Sequence, residues 1–174
     1  MKKIVLSRQE IAKRVRELGQ MITRDFAHDD LLLIGVLNGA FIFTADLARE
    51  IDLPIEIDFI RVASYGSGSS SSGTFTFTKD AERPVAAKKI MLVEDIIDTG
   101  RTIALLQQHF LRLGAASVHI CALIDKKERR EVEVHPDYAG FVVAEGFLVG
   151  YGLDFAEQYR NLPDVYHLEN PAQP

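Results

Sequence analysis

Glu94, Asp95 and Asp98 lie within five positions of one another in the stretch IMLVEDIIDTGRTI, and Thr99, Gly100 and Thr102 follow at once. Carboxylates placed this way can hold sugar hydroxyls, bind a hard cation or exchange a proton. The hydroxyls of the T-G-x-T segment add donors, and its glycine allows close backbone approach. If a helix opens there, its unpaired N–H groups and the positive end of its dipole make a cradle for phosphate. Three carboxylates would repel a lone phosphate, so the pattern makes sense when they serve other parts of the same ligand. Acidic residues near a capped helix start are also common for stability alone. Spacing by itself leaves these two readings level. No G-x-x-x-x-G-K-[ST] occurs in the chain, so this is not a Walker loop.

The elements that must position these groups are legible from periodicity. Ser7 with Glu10 has the pattern of a capping box. Ile11, Val15, Leu18, Ile22 and Phe26 then recur at helical spacing. LLLIGVL (Leu31 to Leu37), KIMLVED and SVHICALI are short continuous apolar runs, as expected of strands buried on both faces. AFIFTADLARE and GRTIALLQQHFLRLG read as helices, the second ending at Gly114. IEIDFIRVASY is rich in β-formers, and GTFTFTK alternates as an edge or hairpin strand does. GFVVAE and DVYHL predict short late strands. Buried strands alternating with helices imply an α/β fold with a parallel sheet covered on both faces. Ligands then bind beyond the carboxyl ends of the strands, where LNG, EDIIDTGRT and IDKKERR all fall. YGSGSSSSG has the composition of a linker but lies between strands of one domain, so it is either a lid or an idle loop.

Composition narrows the function classes. The 174 residues suit one domain, and 47% hydrophobic with 26% charged residues suits a globular chain. A net charge of -5 argues against a general affinity for nucleic acid. No apolar run approaches the length of a membrane span, and the N-terminus lacks a signal-peptide core, so no membrane partner and a cytoplasmic location are expected. Cys121, the single cysteine, sits in an apolar run and is expected to be buried. His28, His109, His119, His135 and His167 are scattered, with no metal-ligand spacing.

MLVEDIIDTGRT resembles the signature of the type I phosphoribosyltransferases: an apolar strand, two acidic residues, two mostly apolar ones, then an acidic residue with T-G-x-T. SYGSGSSSSG resembles the mobile loop of the hypoxanthine-guanine branch, LIDKKERR its base-selecting segment, and FLVGYGLDFAEQYRNLP its C-terminal signature. The resemblance runs from about Gln9 to Leu168. It implies one phosphoribosyltransferase domain over residues 1–174, with a central parallel sheet, flanking helices, a small hood and a flexible catalytic loop at about 65–79. The implied reaction joins a 6-oxopurine, hypoxanthine or guanine, to 5-phosphoribosyl-1-pyrophosphate with Mg²⁺, in a homodimer or homotetramer.

The resemblance also implies roles. Glu94 and Asp95 would hold the ribose hydroxyls and a Mg²⁺, and Asp98 would be the general base or acid facing the purine. Thr99, Gly100, Arg101 and Thr102 would form the 5′-phosphate cup. Leu37, Asn38 and Gly39, with Arg160, would bind pyrophosphate, the loop offering backbone N–H groups through an unusual cis peptide. Lys126 would donate to the oxygen at purine position 6, Phe147 would stack on the ring, and Leu148 would read the base edge. Asp154 would border the purine and carry a second Mg²⁺ on the pyrophosphate side. Ser64 and Tyr65 would enter when the loop closes. Arg130 matches a position linked to pyrophosphate-side and subunit contacts, while Lys127, Glu128 and Arg129 read as surface charges. Two departures stand out. Relatives often have Lys where Asn38 stands, and often Lys where Gly146 stands, which leaves the preference among oxopurines open. The rivals are a xanthine-preferring enzyme and an RNA-binding regulator of the pyrimidine-attenuation kind. Asp98 and the net charge of -5 disfavour the second.

Overall fold

Ser7 opens the first helix by the reciprocal bonds its spacing predicts. Its hydroxyl accepts from the Glu10 N–H at 3.3 Å, and the Glu10 carboxylate accepts from the Ser7 N–H at 2.8 Å. The computed structural model of the protein describes residues 2–65 and 74–169. In chain order the elements are β1 (Lys2–Leu6), α1 (Arg8–Asp25), β2 (Leu31–Leu37), α2 (Phe41–Glu50), β3 (Glu56–Tyr65), β4 (Thr74–Lys79), β5 (Lys89–Ile97), α3 (Arg101–Arg112), β6 (Ser117–Lys126), β7 (Tyr138–Val143), β8 (Leu148–Val149) and β9 (Val165–Leu168).

The continuous apolar runs are explained by two cores. Leu31, Leu33, Met91, Val93, Cys121 and Leu123 point to one face, where α1 brings Ile11, Val15, Leu18 and Ile22 and α2 brings Phe43 and Leu47. Their neighbours Leu32, Ile34, Ile90, Leu92, Ile120 and Ala122 point to the other, against Ile103, Leu106 and Phe110 of α3. Because side chains alternate along a strand, covering both faces requires both parities to be apolar. Cys121 is fully buried, as expected, and burial pushes its thiol well above the usual range.

The large sheet has the order β4-β3-β2-β5-β6-β7, parallel throughout except for β4, which runs antiparallel to β3 on the edge. Chain order reverses between β2 and β5: one continues outward to β3, the other to β6. Their carboxyl ends therefore flank a crevice, where open α/β sheets bind ligands. A second sheet, β1-β9-β8, is antiparallel and forms the small hood. Of the loop expected at about 65–79, Thr74–Lys79 is strand β4, and residues 66–73 lie outside the described residues. Ser64 and Tyr65 end β3, and their side chains also lie outside what is described. No helix among the described residues is long and apolar enough to cross a membrane.

Candidate active site

Strand β5 carries its acidic residues to the crevice and continues two residues past them, to Ile97. Glu94 and Asp95 are both buried. Burial, followed by the neighbouring Asp95 charge, pushes the Glu94 carboxyl well above the usual carboxylate range. Burial raises Asp95 as well, opposed by the Ile96 N–H it accepts at 2.9 Å and by the Arg160 charge. Two adjoining buried carboxylates without a full complement of positive charge form a site that favours a cation or hydroxyl donors.

The turn after β2 meets these carboxylates. The Leu37–Asn38 peptide is cis, as the resemblance implied. A Cβ on Gly39 would stand 1.8 Å from the Asp95 carboxylate, so only glycine lets the turn come this close. On the far side, Gly152 has φ +103, and a Cβ there would stand 2.0 Å from the Gly39 carbonyl. The turn is thus held between the end of β5 and the hood loop, with glycine at both contacts. Arg160 fixes that hood loop, donating to the Gly152 carbonyl at 2.9 Å and pairing with Asp154 at 3.0 Å and Glu157 at 3.1 Å.

Helix α3 begins at Arg101 with Gly100 as N-cap at φ 83 and no side-chain cap. Its N-terminus faces a cavity of about 310 Å³ lined by Leu37, Asn38, Gly39, Glu94, Asp95, Asp98, Thr99, Gly100, Thr102, Asp154 and Arg160, among others. Arg101 departs from the expected cup: its side chain pairs with Glu131 at 2.5 Å and does not line this cavity. Only its backbone stands at the helix start, because helical geometry turns residue 101 outward when Thr102 faces in.

A second cavity, of about 210 Å³, adjoins the first, with Asp95, Ile96, Asp98 and Asp154 lining both. Its other walls are Lys126, Arg129, Gly146, Phe147, Leu148 and Leu153. Phe147 is 39% exposed and meets Phe155 edge-on at 5.5 Å, which leaves a ring face available. Lys126, buried at the end of β6, places its ammonium 3.9 Å from Asp98 Oδ1. Among the described residues nothing donates a hydrogen bond to that buried oxygen.

Three residues make contacts that their sequence reading did not include, though Glu128 and Arg129 are exposed, as read. Arg130 is a part-buried tie within the chain. Its guanidinium donates to the carbonyls of Ile97, Asp98, Lys126 and Val134 at 2.7–3.1 Å and to the Asp125 carboxylate at 2.5 Å. Those bonds hold it between the ends of β5 and β6. Arg129 reaches Asp98 at 3.5 Å and walls the second cavity. Glu128 pairs with Lys126 at 3.0 Å. The charge run KKERR concealed these contacts, since consecutive charges at a strand end ordinarily face solvent.

A family profile described as phosphoribosyl transferase domain matches residues 2–156. The hypoxanthine-guanine phosphoribosyltransferase of Aquifex aeolicus is 41% identical over 169 residues, covering 97% of this chain and 95% of its own. That of Streptococcus thermophilus is 45% identical over 164 residues, covering 94% of this chain and 91% of its own. A crystal structure of a hypoxanthine-guanine phosphoribosyltransferase from Bacillus anthracis superposes with a TM-score of 0.91 at 39% identity, covering 96% of this chain and 98% of that one. The carboxylates at the end of β5 and the helix start beside them belong to the same run of residues that the profile matches, and the chain belongs to the phosphoribosyl transferase family.

Proposed function

We propose that this chain transfers the 5-phosphoribosyl group of 5-phosphoribosyl-1-pyrophosphate to hypoxanthine or guanine, releasing pyrophosphate and forming the nucleoside monophosphate. The observation that carries this reading is the joined pair of cavities. One lies at a helix N-terminus, and the other sets a donor-only lysine and a hydrogen-bond-free carboxylate oxygen within 3.9 Å of each other. The helix start, with Thr99, Gly100 and Thr102, suits the 5′-phosphate. The Leu37–Gly39 turn and Arg160 suit pyrophosphate. Lys126 can donate to an oxygen at purine position 6 but cannot accept from the amino group of adenine. Asp98 then takes the proton from the ring nitrogen as that nitrogen bonds to the anomeric carbon and the bond from that carbon to the pyrophosphate oxygen breaks. Phe147 packs on the ring, and the Leu148 backbone and Asp154 border the base edge. The described ends of the hairpin loop, Ser64 and Tyr65, complete the proposed site.

Glu94, Asp95 and Asp154 are oxygen donors that fit Mg²⁺. Among the described residues no three His, Cys, Asp or Glu side chains make a closed metal cage. That suits an ion which keeps waters and takes substrate oxygens as ligands. When bound, Mg²⁺ neutralises charge on the leaving pyrophosphate. Arg160 already stands beside Asp154, so it adds positive charge on the same side. Assembly as a homodimer or homotetramer in the cytoplasm belongs to the same proposal. Phe41, exposed two residues after the Gly39 turn, offers an apolar contact to a second copy.

The test is nucleotide formation from 5-phosphoribosyl-1-pyrophosphate and Mg²⁺ with hypoxanthine, guanine, xanthine, adenine or uracil. Turnover with hypoxanthine or guanine and none with adenine is expected. Asp98→Asn should lower kcat by about 10²–10⁴-fold with KM for the base little changed. Turnover of uracil or adenine in place of the oxopurines, or none at all, would overturn the reading.

A further inference from the structure

Glu128 stands beside the purine cavity without touching its floor. Its carboxylate accepts from the Lys126 ammonium at 3.0 Å and from the Gly146 N–H at 3.3 Å. The same ammonium lies 3.9 Å from Asp98, too far for a hydrogen bond. Lys126 is therefore drawn toward Glu128 and away from the carboxylate proposed as the base. An ammonium has three N–H bonds in fixed tetrahedral relation. Tying one of them to Glu128 sets where the others point, and Lys126 lines the cavity while Glu128 does not.

Gly146 makes this arrangement possible. With φ +104 and the His167 ring 2.6 Å from where a Cβ would stand, position 146 admits no side chain. No side chain projects from it, and the Glu128 carboxylate bridges Lys126 to the Gly146 backbone. Contact with Lys126 is also the leading cause that holds the Glu128 carboxyl below its usual range.

We propose that Glu128 is a positioning residue that sets how strongly this site reads the oxygen at purine position 6, an inference that rests on the function proposed above. Without it, Lys126 turns to the nearer remaining carboxylate, Asp98. One pairing then costs the site both its aimed donor and its open acceptor.

Removing a negative charge also strengthens binding of any nucleotide, so the informative quantity is a ratio. Inosine 5′-monophosphate and purine riboside 5′-monophosphate differ in the 6-oxygen and in the N1 proton that accompanies it, a difference identical for wild type and variant, and calorimetric titration of each needs no turnover. In the wild type the first should bind more tightly. In Glu128→Ala that preference should fall by about tenfold. Glu128→Gln keeps an acceptor for both donors and should fall between the two. Glu128 is 44% exposed, and melting temperatures of the variants should stay close to the wild type. An unchanged ratio in Glu128→Ala, or equal weakening of both nucleotides, would refute the positioning role while leaving the proposed function standing. A wild type that binds the two nucleotides equally would instead refute the 6-oxopurine reading, and this inference with it.

Discussion

At the scale of single residues, the site stores a conflict that a ligand can relieve. Glu94 lies beside Asp95 in the end of a buried strand, and its carboxyl is raised well above the usual range by burial and then by its neighbour. A carboxyl raised on folding contributes its full stability below the unfolded value near 4.3. That contribution is lost as pH rises through the raised native value. At pH above the raised value, Glu94 therefore weighs against the fold. Glu94→Gln should raise the melting temperature of the ligand-free protein at pH 8 by roughly 2–4 °C for each 1 kcal/mol relieved, with the gap closing toward pH 4, while it lowers activity. A variant that melts below the wild type at every pH would show that the carboxylate is held by contacts stronger than its repulsion. The acidic cluster itself was legible in the sequence, because its spacing left a structural and a chemical reading level and the resemblance of the whole stretch MLVEDIIDTGRT decided between them. Glu128 was not, because its role depends on where the end of β6 lies relative to Gly146, and no local pattern encodes that register.

At the scale of elements, the strands with continuous apolar runs were readable because burial on two faces leaves a composition that few other environments require. Strands β1 and β8 escaped. KKIVL and LV are too short to show a period, and they pair only with β9, more than 150 residues away from β1. The start of α3 was readable to within a residue, but the outward turn of Arg101 was not. Arg130 shows why elements matter to the chemistry. One part-buried guanidinium ties the end of β5, through the Ile97 and Asp98 carbonyls, to the end of β6, through Lys126 and Asp125. Asp98 and Lys126 thus have their separation set by a third residue. Replacing Arg130 with Met leaves the buried Asp125 charge and four carbonyls without their partner. A loss of about 3–5 kcal/mol is expected, read as a fall in the urea midpoint at constant m-value. The surviving folded fraction should show reduced kcat, since both groups proposed to act on the base move. Unchanged stability would mean that water replaces the guanidinium fully.

At the scale of the whole molecule, the question is whether the hood is a separate unit. It has its own sheet, and its loop supplies Phe147, Leu148, Asp154 and Arg160 to the site. Yet its apolar residues do not form their own core. Leu6, Leu148, Leu153 and Val165 belong to the same cluster as Leu33, Met91 and Val93 of the large sheet and Leu18 of α1. The Gly152 backbone also closes on the Gly39 carbonyl across the crevice. A layer whose apolar face is shared cannot unfold alone without exposing the central core. One domain is therefore expected to melt in one transition. Leu6→Ala, a deletion made entirely within the hood, should cost about 2–5 kcal/mol and lower the melting temperature of the whole chain by about 2–4 °C per kcal/mol. Far-ultraviolet dichroism, which follows the helices on the large sheet, should shift together with the tyrosine fluorescence of a Tyr138→Phe, Tyr65→Phe background, in which the remaining tyrosines, Tyr151, Tyr159 and Tyr166, lie in the hood region. If the fluorescence transition alone moved, the hood would be an independent unit. The crevice between the sheets would then be a hinge whose closure the ligand must drive.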